Sequence, residues 1–357
     1  RNPEELLEIF KLLTWAKAAL TDSEHIPTAE LERALQRIAP SLRTLRHANG
    51  NLVRFQGGDQ GMEGMLDTAL AACGIKSRNS DHLTMGYARL SAGRTSVIID
   101  AGPPATGNAS YNAHASTLAF ELTSGRRPLI VSCGSGAHLG PDWHRAGRAT
   151  PSHSTLCLGG YSSARLGKPV KTSGVYRELL VEAPKIVPVE MSQTAEGVKF
   201  EGAHSGYVPP FGLTHARKLS LSLDGRSLAG EDLLIALDDT AGNAGETVLS
   251  DDINPNVDFQ IRFHLHPEVD AALDLGGTTV AIAAKSGEIW IFRHESKLSL
   301  TIEPGVYLEK NQPIPRSSRQ IVLSGMVNDA LTRAQWSLSK TQDTAMAIRD
   351  LRLEELR

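Results

Sequence analysis

Two stretches of the chain set a histidine among hydroxyl and amide side chains beside an apolar run. The first is Tyr111-Asn112-Ala113-His114-Ala115-Ser116-Thr117, followed by Leu118-Ala119-Phe120-Glu121-Leu122. The second is Arg148-Ala149-Thr150-Pro151-Ser152-His153, followed by Ser154-Thr155-Leu156. Histidine is the side chain best suited to proton transfer or metal ligation near neutral pH. Two such segments brought together would make a polar site. A Gly/Pro/Ser-rich stretch, 102–110, precedes His114 and places it at a sheet rim, where loops carry function. Arg145 and Arg148 precede His153; each either grips a carboxylate through its guanidinium fork or is an exposed surface charge. His204 and Tyr207, in Gly202-Ala203-His204-Ser205-Gly206-Tyr207, would extend a groove or serve as packing and capping groups on a loop. His264 and His266 stand two apart, on one face if they lie on a strand, and read as structural.

Other chemistries find no support. Gly57-Gly58 and Cys133-Gly134-Ser135-Gly136 do not match a phosphate-binding fingerprint, and no G-x-S-x-G elbow occurs. Three cysteines, Cys73, Cys133 and Cys157, without C-x-x-C spacing argue against a disulfide framework or a thiolate zinc site. The net charge of −3 does not favour nucleic acid or an anionic membrane, so a polyanionic ligand would need a local basic patch. No apolar run approaches the roughly 20 residues that a membrane helix needs, so membrane insertion is not expected. The chain starts without Met or a signal peptide, which suggests that an amino-terminal portion precedes it and leaves export open.

The elements that must position these residues fall into two regions, as 357 residues would suggest. Residues 1–85 read as helical. Asn2 is the N-cap, Pro3 the first helical residue and Glu5 the partner in a capping box, followed by a helix apolar around much of its circumference. A second helix starts at Thr28 and breaks or kinks near Pro40. A third runs from about Gln60 to Gly74. From Met85 the period shortens: a hairpin at Tyr87–Asp100, then short apolar runs divided by Gly, Pro, Asn and Asp, as in an antiparallel sandwich. Residues 86–357 form this second domain, with a short terminal helix from Ala345 to Arg357.

These landmarks, in this order, resemble the heparinase II/III-type polysaccharide lyases. Asn2-Pro3-Glu4 is similar to a family helix start, Tyr111–Leu122 to its histidine strand, and Trp143–Leu156 to its Arg-x-Thr-x-x-His segment. Phe263-His264-Leu265-His266-Pro267 and Ala334-Gln335-Trp336 match later landmarks. The resemblance implies an α+β multidomain fold: the late helices of an α/α toroid, then a large antiparallel β-sandwich. Family members cleave uronate-containing glycans by β-elimination. The enzyme neutralises the carboxylate beside C5, places a base at C5, and supplies an acid to the departing oxygen. A metal, often zinc, is held nearby by two histidines and an aspartate. His114 and His153 match those ligands, which makes zinc or another divalent cation the implied cofactor. Ser132 stands at the aspartate position, where a neutral hydroxyl lacks the donor strength of a carboxylate. Asn112 stands where some lyases carry a second histidine; an amide can hold a carboxylate but cannot act as base. The toroid's Asn and Tyr have no match.

The leading expectation is a bacterial lyase of the periplasm or cell envelope acting on an acidic polysaccharide. His114, Asn112, Tyr111 and Arg148 would be catalytic, and Arg145, His204 and Tyr207 would bind substrate. The competing expectation is a non-catalytic glycan-binding or envelope-structural protein on the same fold, favoured by Ser132 and Asn112. A third is a hydrolase of another envelope polymer. The sequence sets neither the glycan nor the oligomeric state.

Overall fold

The structure, a computed structural model, describes residues 1–76, 83–172, 174–237, 256–295 and 297–341. Helix α1 (Pro3–Asp22) starts where the Asn2 side chain accepts the N–H groups of Glu4 and Glu5, relieving two of the free donors at the helix end. It buries Leu7 and Phe10, while Ile9, Leu12 and Trp15 stay exposed, so it packs along one stripe only. Helix α2 (Ala29–Thr44) is capped by Thr28 and runs unbroken through Pro40, where a break or kink was expected. Leu35 and Ala39 before the proline and Leu42 after it are buried in one core, and that packing outweighs the one backbone bond proline removes. Helix α3 (Met65–Cys73) begins later than expected, after Gly64 in a left-handed conformation, and ends at Gly74.

Four antiparallel strands follow as a meander: β1 (Tyr87–Ala92), β2 (Thr95–Asp100), β3 (Phe120–Ser124) and β4 (Arg127–Ile130). Alternation along the strands divides this sheet between two cores. Tyr87, Ile98 and Ala119 join the core of α1–α3. Ala88, Leu90, Val97, Ile99, Phe120 and Leu122 face the other way, into the sandwich. The helical core therefore closes on strands of the second region.

After α4 (Pro141–Arg148) and β5 (Leu156–Leu158) come two small ribbons. β6 (Arg165–Leu166) pairs with β9 (Leu180–Glu182), and β7 (Val170–Thr172) with β8 (Val175–Arg177). The remaining elements are β10 (Val189–Gln193), β11 (Gly197–Tyr207), α5 (Val208–Phe211), β12 (Leu213–Ser222), β13 (Ser227–Ala236), β14 (Val257–His264) and β15 (Val269–Asp274). They continue with β16 (Thr279–Ala284), β17 (Ile289–His294), β18 (Ser299–Tyr307), β19 (Arg316–Val327) and β20 (Leu331–Lys340). Eight of these make one antiparallel sheet in the order β10-β11-β12-β13-β20-β17-β16-β15, and the other three join β5 in a four-stranded sheet, β18-β19-β14-β5. A bridge from Ile130 to Leu265 joins the two four-stranded sheets edge to edge. All three sheets meet in an aromatic cluster: Phe120, Phe263, Phe292 and Trp336, with Phe120 stacked on Trp336 at 5.7 Å and Phe263 edge-on to it at 4.7 Å. The expected terminal helix lies outside the described residues.

Candidate functional site

The two histidines approach from separate loops, each following a short 3₁₀ helix: Gly107–Asn112 before His114 and Thr150–Ser152 before His153. Backbone bonds stitch the loops together. The Ala115 N–H donates to the Arg148 carbonyl at 2.8 Å, and the Thr150 hydroxyl to the Ala115 carbonyl at 2.7 Å. From the helical side Gln56 clamps the first loop: its carbonyl oxygen accepts the His114 N–H at 3.1 Å, and its amide donates to Ser116 Oγ and Asp100.

His114 Nδ1 and His153 Nε2 lie 3.2 Å apart, and His153 Nδ1 lies 3.3 Å from Ser132 Oγ. All three side chains are buried, with exposures of 0–1%. Burial, then the charges of His153, Arg148 and His144, hold His114 well below the ordinary imidazole range. Burial and then His264 push His153 down to about 3. Both rings are therefore neutral at physiological pH, and one N–H lies between them. His114 Nε2 is buried with no hydrogen-bond partner among the described residues.

Two imidazole nitrogens at this spacing offer two ligands to a metal, but a tetrahedral zinc site takes at least three protein ligands. Ser132 meets the opposite nitrogen of His153 with a neutral hydroxyl. Among the described residues no His, Cys, Asp or Glu completes a set of three. The residues present do not fit the zinc centre that the resemblance implied.

The other expected residues take different places. Arg148 is buried, and its guanidinium is spent on backbone carbonyls: Ala113 at 2.9 Å, Ser110 at 2.6 Å and Glu178 at 2.8 Å. It ties the His114 loop to the chain between β8 and β9 and is not presented to a ligand. Arg145 is exposed and pairs with the Glu178 carboxylate at 2.8 Å. Tyr111 stacks under Arg177 at 4.3 Å. Asn112 presses its backbone onto Gly57, where a Cβ would sit 2.9 Å from the Asn112 oxygen; this close approach, with φ at +82°, accounts for the glycine.

His204 and Tyr207 lie on β11 rather than on a loop, and both are buried in the sandwich. His204 Nδ1 accepts the Gly206 N–H, so its Nε2–H donates to His215 Nδ1 at 3.2 Å. His215 Nε2–H in turn donates to Asp232 at 2.8 Å. Asp232 also takes two bonds from Arg217 and one from Trp336 Nε1. Tyr207 donates to the Leu156 carbonyl at 2.7 Å. This is a satisfied interior network, the condition for polar groups to be buried, and not a groove. His264 bonds to the Pro151 carbonyl at 2.8 Å and meets Cys133 Sγ.

Sequence reasoning missed Gln56, Arg54 and the role of Glu121. The Glu121 carboxylate accepts the N–H groups of Ser132 and Arg54 and contacts His47 Nε2 at 3.2 Å. The available signal was a charged residue inside the apolar run Leu118–Leu122; its partners are too far away in sequence to be read.

With this geometry in place the chain can be set beside known proteins. A sequence profile described as Heparinase II/III-like, C-terminal, matches residues 76–341. The chain belongs to this heparinase-like family. A relative from Caulobacter vibrioides (strain NA1000 / CB15N), FtsZ-localized protein C, is 31% identical over 355 residues, covering 96% of this chain and 58% of that protein. Among solved structures, heparan sulfate lyase HepC from Pedobacter heparinus superposes with a TM-score of 0.68 at 12% identity, over 96% of this chain and 52% of that one. Heparinase III, the BT4657 gene product, gives 0.69 at 12% identity, again over 96% and 52%. At such identity the structures establish a shared heparinase-like fold and nothing further. The chain spans about half the length of these proteins.

Proposed function

We propose that this protein is a non-catalytic member of the heparinase-like family, binding an acidic glycan at the bacterial cell envelope, in a place beside FtsZ. The observation that carries this reading is the His114–His153–Ser132 chain: two neutral, buried rings ending on a hydroxyl at the position of a ligand carboxylate. β-Elimination requires a group that neutralises the uronate carboxylate, a base at C5 and an acid at the leaving oxygen. Of the candidates here, Arg148 is consumed by carbonyls, Asn112 cannot accept a proton, and the ring pair does not make a metal site. Retention of the fold supports a glycan as ligand, and the name of the Caulobacter relative supports the place beside FtsZ. In this reading α1–α3 are the late helices of an α/α toroid.

A lyase is the second reading, favoured by the free Nε2 of His114, with the remaining groups coming from elsewhere in the whole protein. The test uses full-length protein on a panel of uronate polysaccharides, following both binding and the absorbance of an unsaturated product. We expect binding without product. A product signal that disappears in His114→Ala and His153→Ala would overturn the non-catalytic reading. A fluorescent fusion that fails to gather with FtsZ would remove the proposed location.

A further inference from the structure

The short ribbon of β7 and β8 hydrogen-bonds to no third strand among the described residues. An isolated two-stranded ribbon is marginally stable in water, yet this one leaves Val170, Val175 and Tyr176 exposed at 45%, 55% and 71%. In the pairing, Lys171 stands opposite Tyr176 and Val170 opposite Arg177. Side chains alternate along a strand, so Lys171 and Tyr176 share one face, and Val170, Val175 and Arg177 the other. Arg177 sets its face toward the body of the protein. Its guanidinium lies 4.3 Å over the Tyr111 ring, close before His114 in the sequence. Glu178, the next residue, accepts at its carbonyl from Arg148 at 2.8 Å, and its carboxylate pairs with Arg145 at 2.8 Å. The ribbon is therefore held beside the His114 loop, with Lys171 and Tyr176 on the side away from Tyr111.

The charge on this arm is not balanced. Residues 165–186 carry five cations, Arg165, Lys168, Lys171, Arg177 and Lys185, against two carboxylates, Glu178 and Glu182. Both carboxylates are taken, Glu178 by Arg145 and Glu182 by Arg165. Lys168, Lys171, Arg177 and Lys185 make no ion pair among the described residues. In a chain whose net charge is −3 this is a local basic patch of the kind a polyanion needs. An exposed lysine alone is an ordinary solvated charge; the neighbour sets Lys171 apart. Directly opposed residues on a ribbon have Cβ atoms about 4.5–5.5 Å apart, so the ammonium stands beside an exposed phenol ring. A pyranose ring lays its C–H face on such a ring, and a carboxylate or sulfate on that sugar then falls within reach of the ammonium. A lipid surface fits less well, because Val170 and Val175 lie on the opposite face and the outward face offers one aromatic ring for insertion.

We propose that the Lys171–Tyr176 face of this ribbon captures the acidic glycan, Tyr176 stacking on a sugar ring and Lys171 pairing with its carboxylate or sulfate. The proposal rests on the glycan-binding reading above and gives it a surface. Full-length protein is titrated calorimetrically with heparan sulfate, polygalacturonate and neutral dextran, and its sedimentation with phosphatidylglycerol vesicles is measured in parallel. We expect saturable binding of at least one acidic polysaccharide and none of dextran. Tyr176→Ala and Lys171→Gln should each weaken that binding about two- to tenfold, and the double variant about tenfold or more. Lys171→Arg should retain it, and added salt should weaken the parent more than Lys171→Gln. Both side chains are exposed, and circular dichroism checks that the variants stay folded. Glycan binding that the double variant keeps in full would overturn the proposal and leave the glycan reading standing. A parent protein that binds neither acidic polysaccharide would overturn both. Vesicle binding without glycan binding, lost in the same variants, would assign the face to a membrane and overturn the proposal.

Discussion

His114 and His153 stay neutral because the fold strips them of water, and this sets a pH dependence. A histidine held below its unfolded value of 6.5 stabilises the native state above that pH. The contribution is lost as pH falls toward the folded value, about 3 for His153, because the unfolded chain binds the proton first. Melting temperature should therefore drop between about pH 6.5 and pH 4, and the drop should be shallower in His153→Gln. An unchanged slope in that variant would mean that His153 contributes nothing to it. Ser132 allows a second test at this scale. Ser132→Asp places a carboxylate beside His153 in a buried setting. It should cost about 1–3 kcal/mol, read as a lower melting temperature, and added zinc should leave the parent protein unmoved. A zinc response in the parent, measured with stoichiometric metal content, would refute the reading of the ring pair as metal-free.

At the scale of elements, β11, β12, β13 and β20 are bound by polar groups as well as by apolar packing. Asp232 offsets Arg217 with neither exposed, and Arg217 reaches the Leu118 and Ser154 carbonyls. Asp232→Asn should destabilise by about 3–5 kcal/mol, because the guanidinium then lies buried without its counter-charge; urea denaturation measures this, and a loss below 1 kcal/mol would contradict it. The same sheet shows why strands escaped the sequence. Along β11 the inward positions include Gly202 and His204 beside Phe200, so the apolar alternation that marks a strand is broken. Gly202 is there because a Cβ would meet Leu118 at 2.9 Å and Phe200 at 2.8 Å. The first hairpin was legible for the opposite reason: Thr95–Asp100 is buried throughout, and a glycine at φ +52° turns the chain before it. Pro40 misled in the other direction, since propensity is local while the packing of α2 is not.

Across the whole molecule, Arg54 joins the helical region to the sandwich. Its guanidinium lies 4.0 Å over the Tyr307 ring, pairs with Asp59 at 2.9 Å and donates to the Ser132 and Leu308 carbonyls. Arg54→Ala should cost about 3–5 kcal/mol and leave residues before β1 open to proteolysis earlier than the sandwich; digestion of both regions at one rate would argue against this coupling. Arg1 makes a second tie, bonded to Asp100 and to the carbonyls of Met85, Gly86, Gly102 and Pro103. The sequence by itself determined the helix start at Asn2-Pro3, the change from helical to strand period near Met85, the two histidine segments and, through their order, the family resemblance. These rest on local chemistry or on order along the chain, and both are readable in one dimension. Only the tertiary structure decided that His114 and His153 touch, that Arg148 is spent on carbonyls, and that His204 belongs to the interior. Each of those facts depends on which groups lose water and which distant partner replaces it, and that is set when the sheets and helices close on one another.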